Sequence, residues 1–240
     1  MRFARSILSG AFFALYGTLA LLFAPVLALP VWKKSKVRAL IRFFYRAFVL
    51  AARLTRLFVV SVSGREYAQK EKNARGRIVA MNHISLIDIV VLMSILGDST
   101  AIAKANVKKN PFLSQVSRKM FIINDEDPVK LKDEVAALLD GGVDVIVFPQ
   151  GTRGGEVWRR GAARLALACK ADILPARISY DPVVLAKSQP WWDVGGGTIK
   201  INVDFLPPVP AEEEDSFHAA KRLTARIENM IRYGKERNER

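Results

Sequence analysis

The stretch "RIVAMNHISLIDIVVLMSILG", residues 77–97, decides the fold. "RIVAMN" reads as a strand, and 85–97 as a helix closed by Gly97. Between them stands His83, one of two histidines in 240 residues, with Asp88 five positions further on. The alternation continues downstream. "TAIAKA" (100–105), "FIIN" (121–124), "VDVIVFP" (143–149), "ILPARISY" (173–180) and "TIKINVDFLPPV" (198–209) read as strands. "PFLSQVSRKM" (111–120), "DPVKLKDEVAALLDGG" (127–142), 161–171 and a polar amphipathic stretch at 211–237 read as helices. The helix after Asp127 is the best signalled, with Asp127 as N-cap, Pro128 in the first turn and Gly141-Gly142 as its stop. Strands alternating with helices predict an α/β domain over residues 64–240, a largely parallel sheet flanked by helices. Residues 64–76 and 181–197 read as surface loops.

Upstream the texture changes. After Arg2 and Arg5, "ILSGAFFALYGTLALLFAPVLALPV" (7–31) runs for 25 residues without a charge. About 20 apolar residues suffice to cross the hydrocarbon core of a bilayer. A cleaved signal peptide shares the basic start and the "ALA" tripeptide, but the run is longer than an ordinary signal core. Residues 1–63 are therefore expected to be a retained membrane-anchoring helical segment. Pro25 and Pro30 leave open a broken helix that only dips into one leaflet.

The segment 32–62 mixes apolar residues with Lys33, Lys34, Lys36, Arg38, Arg42, Arg46, Arg53 and Arg56. Arg38, Arg42 and Arg46 recur every four residues and share a helix face. Such a helix either packs on its own domain or lies on an anionic membrane surface, and the neighbouring apolar run favours the second. If the run spans once, two basic residues before it and eight after it leave the C-terminal bulk in the cytoplasm.

Lys and Arg number 37 against 23 Asp and Glu, a net charge of +14. That balance favours polyanionic partners. The charge is densest where lipid must lie, so lipid rather than nucleic acid is the expected partner. The single Cys169 excludes an internal disulfide and a cysteine-rich zinc site, and no metal site is expected.

In a parallel α/β sheet, function sits just beyond the C-terminal ends of strands. His83 occupies that place. A loop-to-helix turn can bring the Asp88 carboxylate to one imidazole nitrogen, fixing the tautomer and stabilising the imidazolium formed on proton uptake. The plainer alternative makes His83 a cap and Asp88 a first-turn acid favoured by the helix dipole. A second cluster follows the strand in "VIVFPQGTRGG" (145–155). Its glycines permit close backbone approach, and the Arg153 guanidinium is suited to phosphate. No Gly-Lys-Ser/Thr follows, so the loop does not imply ATP.

Together these stretches resemble the lysophosphatidic acid acyltransferase family of glycerolipid acyltransferases. The resemblance covers about residues 77–180 in the family's order. "NHISLIDIV" matches the His-x4-Asp block, and "AKANVKKNPFL" is similar to the lysine-bearing segment that leads to the second block. "FPQGTRGGEVWRRGAARLA" matches the third block and its basic, glycine-terminated sequel, and "ILPARI" the fourth. The resemblance implies that His83 is the general base on a lysolipid hydroxyl and that Asp88 orients it. Gln150, Gly151, Thr152 and Arg153 would bind the acceptor, with Lys104 adding charge. The co-substrate would be an acyl thioester of coenzyme A or acyl carrier protein, with no other cofactor. No covalent enzyme intermediate is needed, so neither Ser85 nor Cys169 has to be a nucleophile. The implied product is phosphatidic acid, made for phospholipid biosynthesis on the cytoplasmic face of a membrane (the inner membrane in a bacterium).

Two positions depart from the family pattern. Gln150 stands where glutamate is usual, and Asn124 where the second block carries an arginine that helps hold the acceptor phosphate. They keep open a different lysolipid acceptor such as lyso-ornithine lipid. A thioester hydrolase and a non-catalytic membrane-surface protein are the readings from other classes. His218 reads as a surface residue, and "QPWWDVGGG" (189–197) as a membrane-contacting loop or a packed turn.

Overall fold

The computed structural model describes residues 2–71, 73–105, 117–124, 127–187, 189, 197–210 and 216–234. In chain order the elements are α1 (Arg2–Ala28), α2 (Lys34–Leu54), β1 (Phe58–Ser63), α3 (Arg65–Ala68), β2 (Ile78–Met81), α4 (Asp88–Ile95) and β3 (Ser99–Lys104). There follow α5 (Ser117–Met120), β4 (Phe121–Asn124), α6 (Pro128–Asp140), β5 (Asp144–Val147), α7 (Gly161–Ala168), β6 (Ile173–Asp181), β7 (Ile199–Phe205) and α8 (Phe217–Tyr233). The strands form one seven-stranded sheet in the order β1-β7-β6-β2-β5-β3-β4. Neighbours run parallel except β6 and β7, which are antiparallel.

The central strands β2 and β5 are buried along their whole length. Val79, Met81 and Ile146 face the layer of α2 and α4, while Ile78, Ala80, Val145 and Val147 face α6, α7 and α8. Both faces being covered, these strands carry uninterrupted apolar runs instead of alternation. β2 and β5 are paired neighbours, Val79 opposite Ile146. β2 leads into α4 on one face of the sheet and β5 into α7 on the other. Their outgoing chains diverge and open a crevice at the C-terminal edge, the topological switch point where such sheets hold ligands. His83 and Gln150 both emerge there.

The N-terminal segment differs from expectation in two ways. The helix does not continue to residue 62: α2 stops at Leu54, and "FVVSVS" becomes β1, paired with β7. Alternating apolar and small polar residues suit that half-covered edge strand. Secondly, the basic face of α2 is tied to protein, with Arg38 buried, Arg42 half-buried and Arg46 exposed. Arg38 makes a two-pronged bond to Asp98 at 2.8 and 2.9 Å, and the Arg46 guanidinium donates to the Ser94 carbonyl at 2.9 Å. These residues dock on the end of α4, while Val37, Ile41, Phe48 and Ala52 are buried in the sheet's core. α2 exposes Leu40, Phe43, Leu50 and Leu54 alongside Lys34, Lys36, Arg46 and Arg53.

α1 contains a stretch, Ile7–Leu27, long and apolar enough to cross a membrane. Phe12, Phe13 and Tyr16 pack against the rings of Phe44, Phe48 and Phe58, with Phe12 and Phe48 centroids 5.1 Å apart. At its C-terminal end the Lys119 ammonium donates to the carbonyls of Leu27, Leu29 and Trp32.

Elsewhere the elements sit where the sequence puts them. The Asp127 side chain caps α6, accepting from the Val129 and Lys130 N–H groups at 3.1 Å. α4 begins at Asp88 and not at 85, because the Asp88 carboxylate holds the preceding backbone in a turn. The expected loop at 64–76 contains the short α3. Most of the expected helix at 111–120, the Trp191-Trp192 pair, and both ends of the stretch 211–237 lie outside the described residues.

Candidate active site

The site starts where β2 stops. The Asn82 amide donates to the Ile178 carbonyl at 2.9 Å and accepts the Ile178 N–H at 2.8 Å, extending the pairing with β6 by a side chain. The backbone is thereby free to turn, and His83 leaves the sheet. Its Nδ1 lies 2.7 Å from Asp88 Oδ2, which also accepts the N–H groups of Ile84 at 2.7 Å and Ser85 at 3.0 Å. Asp88 Oδ1 accepts the Tyr180 hydroxyl at 2.6 Å. Asp88 is fully buried, and these four donors supply what water cannot. Facing a carboxylate, Nδ1 carries the ring proton, and Nε2 is the nitrogen left to accept one. Tyr180 had no signal in the sequence beyond its place at the end of an apolar strand. Burial, then the Asp88 charge, push its phenol well above the usual range, so it stays protonated and donates.

The segment after β5 wraps the other side of His83. Phe148 stacks on the imidazole with centroids 4.2 Å apart and planes 22° from parallel. The Gln150 Oε1 accepts the His83 N–H at 2.6 Å, while its Nε2 donates to the Gly155 carbonyl. The Gly154 N–H donates to the His83 carbonyl at 2.8 Å. Gly151 and Gly154 adopt φ of +65° and +67°, which the tight turn requires and glycine permits without strain.

The imidazole lines a groove of about 900 Å³ that crosses the C-terminal edge of the sheet. One part is walled by Leu86, Ile89 and Phe121, and another lies between α6 and α7, beside Leu131 and Leu165. Of the residues named from sequence, His83, Lys104 and Gly151 line the groove, whereas Gln150, Thr152 and Arg153 do not. Gln150 is committed to backbone groups. Arg153 donates to the Leu185 carbonyl at 2.9 Å, an oxygen that also accepts the Leu86 N–H at 3.1 Å. Lys132, Arg159 and Arg164 line the groove without having been singled out, although the "WRRG" sequel of the third block signalled Arg159. Asn124 lines it too. No carboxylate lines the groove among the described residues. Cys169 is buried, and burial raises its thiol's pKa, so its nucleophilic thiolate is scarce.

The geometry suits a base acting at the edge of a groove. A curated 1-acyl-sn-glycerol-3-phosphate acyltransferase of Limnanthes alba is 25% identical over 168 residues, 64% of this chain and 56% of that relative. This chain thus spans little more than half the length of the relative it matches. The crystal structure of the 1-acyl-sn-glycerophosphate acyltransferase PlsC of Thermotoga maritima superposes with a TM-score of 0.73. It covers 98% of this chain and 96% of that one at 22% identity, a likeness of fold. A model of the Acyltransferase family matches residues 59–179, just over half the chain, including His83, Asp88 and the 148–155 turn. The chain belongs to the acyltransferase family.

Proposed function

We propose that this acyltransferase moves an acyl chain from a thioester to the free hydroxyl of 1-acyl-glycerol-3-phosphate, giving phosphatidic acid. The observation that carries the reading is the His83 imidazole, held at Nδ1 by a buried carboxylate, on a groove lined by apolar residues together with Lys104, Lys132, Arg159 and Arg164. In the reaction His83 Nε2 takes the proton of the lysolipid hydroxyl as its oxygen attacks the thioester carbonyl. The tetrahedral intermediate collapses with loss of the thiolate, which receives the proton back from the imidazolium. General base catalysis supplies roughly 10²–10⁴-fold, and positioning supplies more. Coenzyme A or acyl carrier protein would bear the thiol.

Lys104, Lys132, Arg159 and Arg164, with no carboxylate lining the groove among the described residues, favour an anionic headgroup over a neutral or zwitterionic one. Asn124 on the same groove supports the second reading, another lysolipid such as lyso-ornithine lipid.

The exposed apolar residues of α1 and α2, among them Leu15, Leu22, Phe23, Phe43 and Leu54, exceed what a soluble surface tolerates and support membrane attachment. The middle of α1, at Phe12 to Tyr16, and its C-terminal end, at Leu27, are held by the domain, which supports a helix lying in one leaflet over one that crosses both. Lys33 and Lys36, exposed beside the apolar run, support a cytoplasmic face rich in anionic lipid.

The test offers membranes carrying the chain, or its His83→Ala variant, a labelled acyl thioester with a panel of lysolipids. Transfer to lysophosphatidic acid that vanishes in the variant is the expected result. His83-dependent transfer to another lysolipid would replace the acceptor. Equal transfer by both proteins would remove His83 from the chemistry, and thioester hydrolysis without any acceptor would make the protein a hydrolase.

A further inference from the structure

Gln150 has two backbone partners that a carboxylate could not both satisfy. Its Oε1 accepts the His83 N–H at 2.6 Å and its Nε2 donates to the Gly155 carbonyl. The partners dictate that orientation, since a backbone N–H only donates and a carbonyl oxygen only accepts. One side chain thus ties the residue that bears the imidazole to the far end of the 151–155 turn. The Gly154 N–H completes the tie by donating to the His83 carbonyl at 2.8 Å. The N–H, the carbonyl and one ring face of His83 are all set by residues 148–155, leaving Nδ1 to Asp88.

We propose that Gln150 is a positioning residue for His83: its uncharged amide locks the 150–155 turn onto the backbone of the base and does not touch the acceptor. Gln150 is outside the groove lining, whereas the adjacent Gly151 is part of it. A glutamate at this position keeps an acceptor for the His83 N–H but sets a second oxygen against the Gly155 carbonyl, where a donor is required. The tie to Gly155 is then lost and the turn moves off the base. In this chain the amide is therefore the fitting residue, although glutamate is usual in the motif it resembles.

The kinetic arm of the test rests on the acyl-transfer reading, and a second arm does not. Purified full-length wild type, Gln150→Glu and Gln150→Met, in detergent micelles, receive a labelled acyl thioester and varied lysophosphatidic acid. Amide hydrogen exchange is followed at His83 and Gly154, with the amides of β2 and β6 as a control for folding. Both variants are expected to lose about 10–100-fold in kcat, as small misplacements of a catalytic group do, with KM for the lysolipid within about two-fold of wild type. The Gly154 amide loses protection in both variants and the His83 amide in the methionine variant, while β2 and β6 keep theirs, and glutamate restores no rate over methionine. A raised KM with kcat retained would make Gln150 an acceptor ligand and overturn the proposal, as would a glutamate variant of wild-type rate. If the glutamate variant does not fold, the methionine variant carries both readouts. If the wild type transfers no acyl group, the acyl-transfer reading fails, and unchanged protection in the methionine variant alone overturns the role of Gln150.

Discussion

Tyr180 and Asp88, 92 positions apart in the chain, are joined by a 2.6 Å hydrogen bond from the phenol to Oδ1. The bond exists because β6 lies beside β2, so the end of one strand reaches over the turn that follows the other. It fills the one carboxylate oxygen that the backbone of Ile84 and Ser85 does not reach. Tyr180→Phe leaves that oxygen buried without a donor. The expected cost is about 1.5–3 kcal/mol, the worth of a hydrogen bond to a charged group. A kcat lower by about 10-fold should accompany it, with little change in KM, as steady-state kinetics on the purified protein would check.

The same phenol gives stability an alkaline limb. Its proton is held well above the ordinary range in the folded state, by burial first and by the Asp88 charge second. The unfolded chain releases that proton near pH 10. Stability from this group is therefore complete below about pH 10 and falls as pH rises further, by about 1.4 kcal/mol per pH unit. Tyr45, also raised by burial, adds a limb of the same sign. Urea unfolding at a series of pH values above 10 should show a shallower decline in Tyr180→Phe than in the wild type. An equal slope in both would mean that the Tyr180 proton is not linked to folding.

Asp88→Asn tests the carboxylate directly. The amide can accept from Ile84 and Ser85 or donate toward His83, but it cannot stabilise an imidazolium. A loss of about 10²–10⁴-fold in kcat is expected, comparable with His83→Ala, and the double variant should lose little more because the pair acts as a unit. Additive losses would show that the two residues act separately.

How far these relationships were legible depended on how local they are. The strand that ends at Met81, the histidine after it and the acid five residues on form one continuous signal, and the fold pairs the two side chains at 2.7 Å. The cap at Asp127 is equally local. The basic stripe of α2 was visible but its partner was not, because a helix face docked on protein looks the same in sequence as one facing lipid. Asp98, which accepts Arg38, lies 60 positions away. β1 was hidden for a related reason: "FVVSVS" follows a helix without a strong stop, and only pairing with β7 makes it a strand. Gln150 and Tyr180 act on groups brought close by the sheet, and no spacing along the chain encodes that.

The exposed face of α2 predicts how the protein meets a bilayer. Phe43 is 72% exposed, so its removal takes little from the fold's own packing. If that face enters lipid, Phe43→Ser forfeits about 1.5–3 kcal/mol of burial, or about 10–100-fold in partitioning to vesicles. Co-sedimentation with anionic vesicles should show the loss, while activity on a detergent-dispersed short-chain acceptor should not change. Unaltered sedimentation would move the contact away from α2.

The opposite end of the sheet supplies the last test, of stability without chemistry. Asp144, at the start of β5, is fully buried and accepts the Arg77 N–H at 2.8 Å and the Lys70 ammonium at 2.9 Å. The Arg77 guanidinium approaches its other oxygen at 3.4 Å. Asp144→Ala removes the carboxylate from two cations largely enclosed by protein, leaving Lys70 the Gly142 carbonyl and Arg77 those of Tyr67 and Ala68. Removal of one partner from such a cluster costs about 3–5 kcal/mol. His83 lies beyond the other end of β2, and Val145 and Val147 still hold β5 in the core, so the groove should keep its shape in the folded molecules. The expected outcome is a much lower denaturant midpoint with kcat/KM within about two-fold of wild type at low temperature. A midpoint that hardly moves would mean that those carbonyls, with water, suffice for Lys70 and Arg77 once the carboxylate is gone.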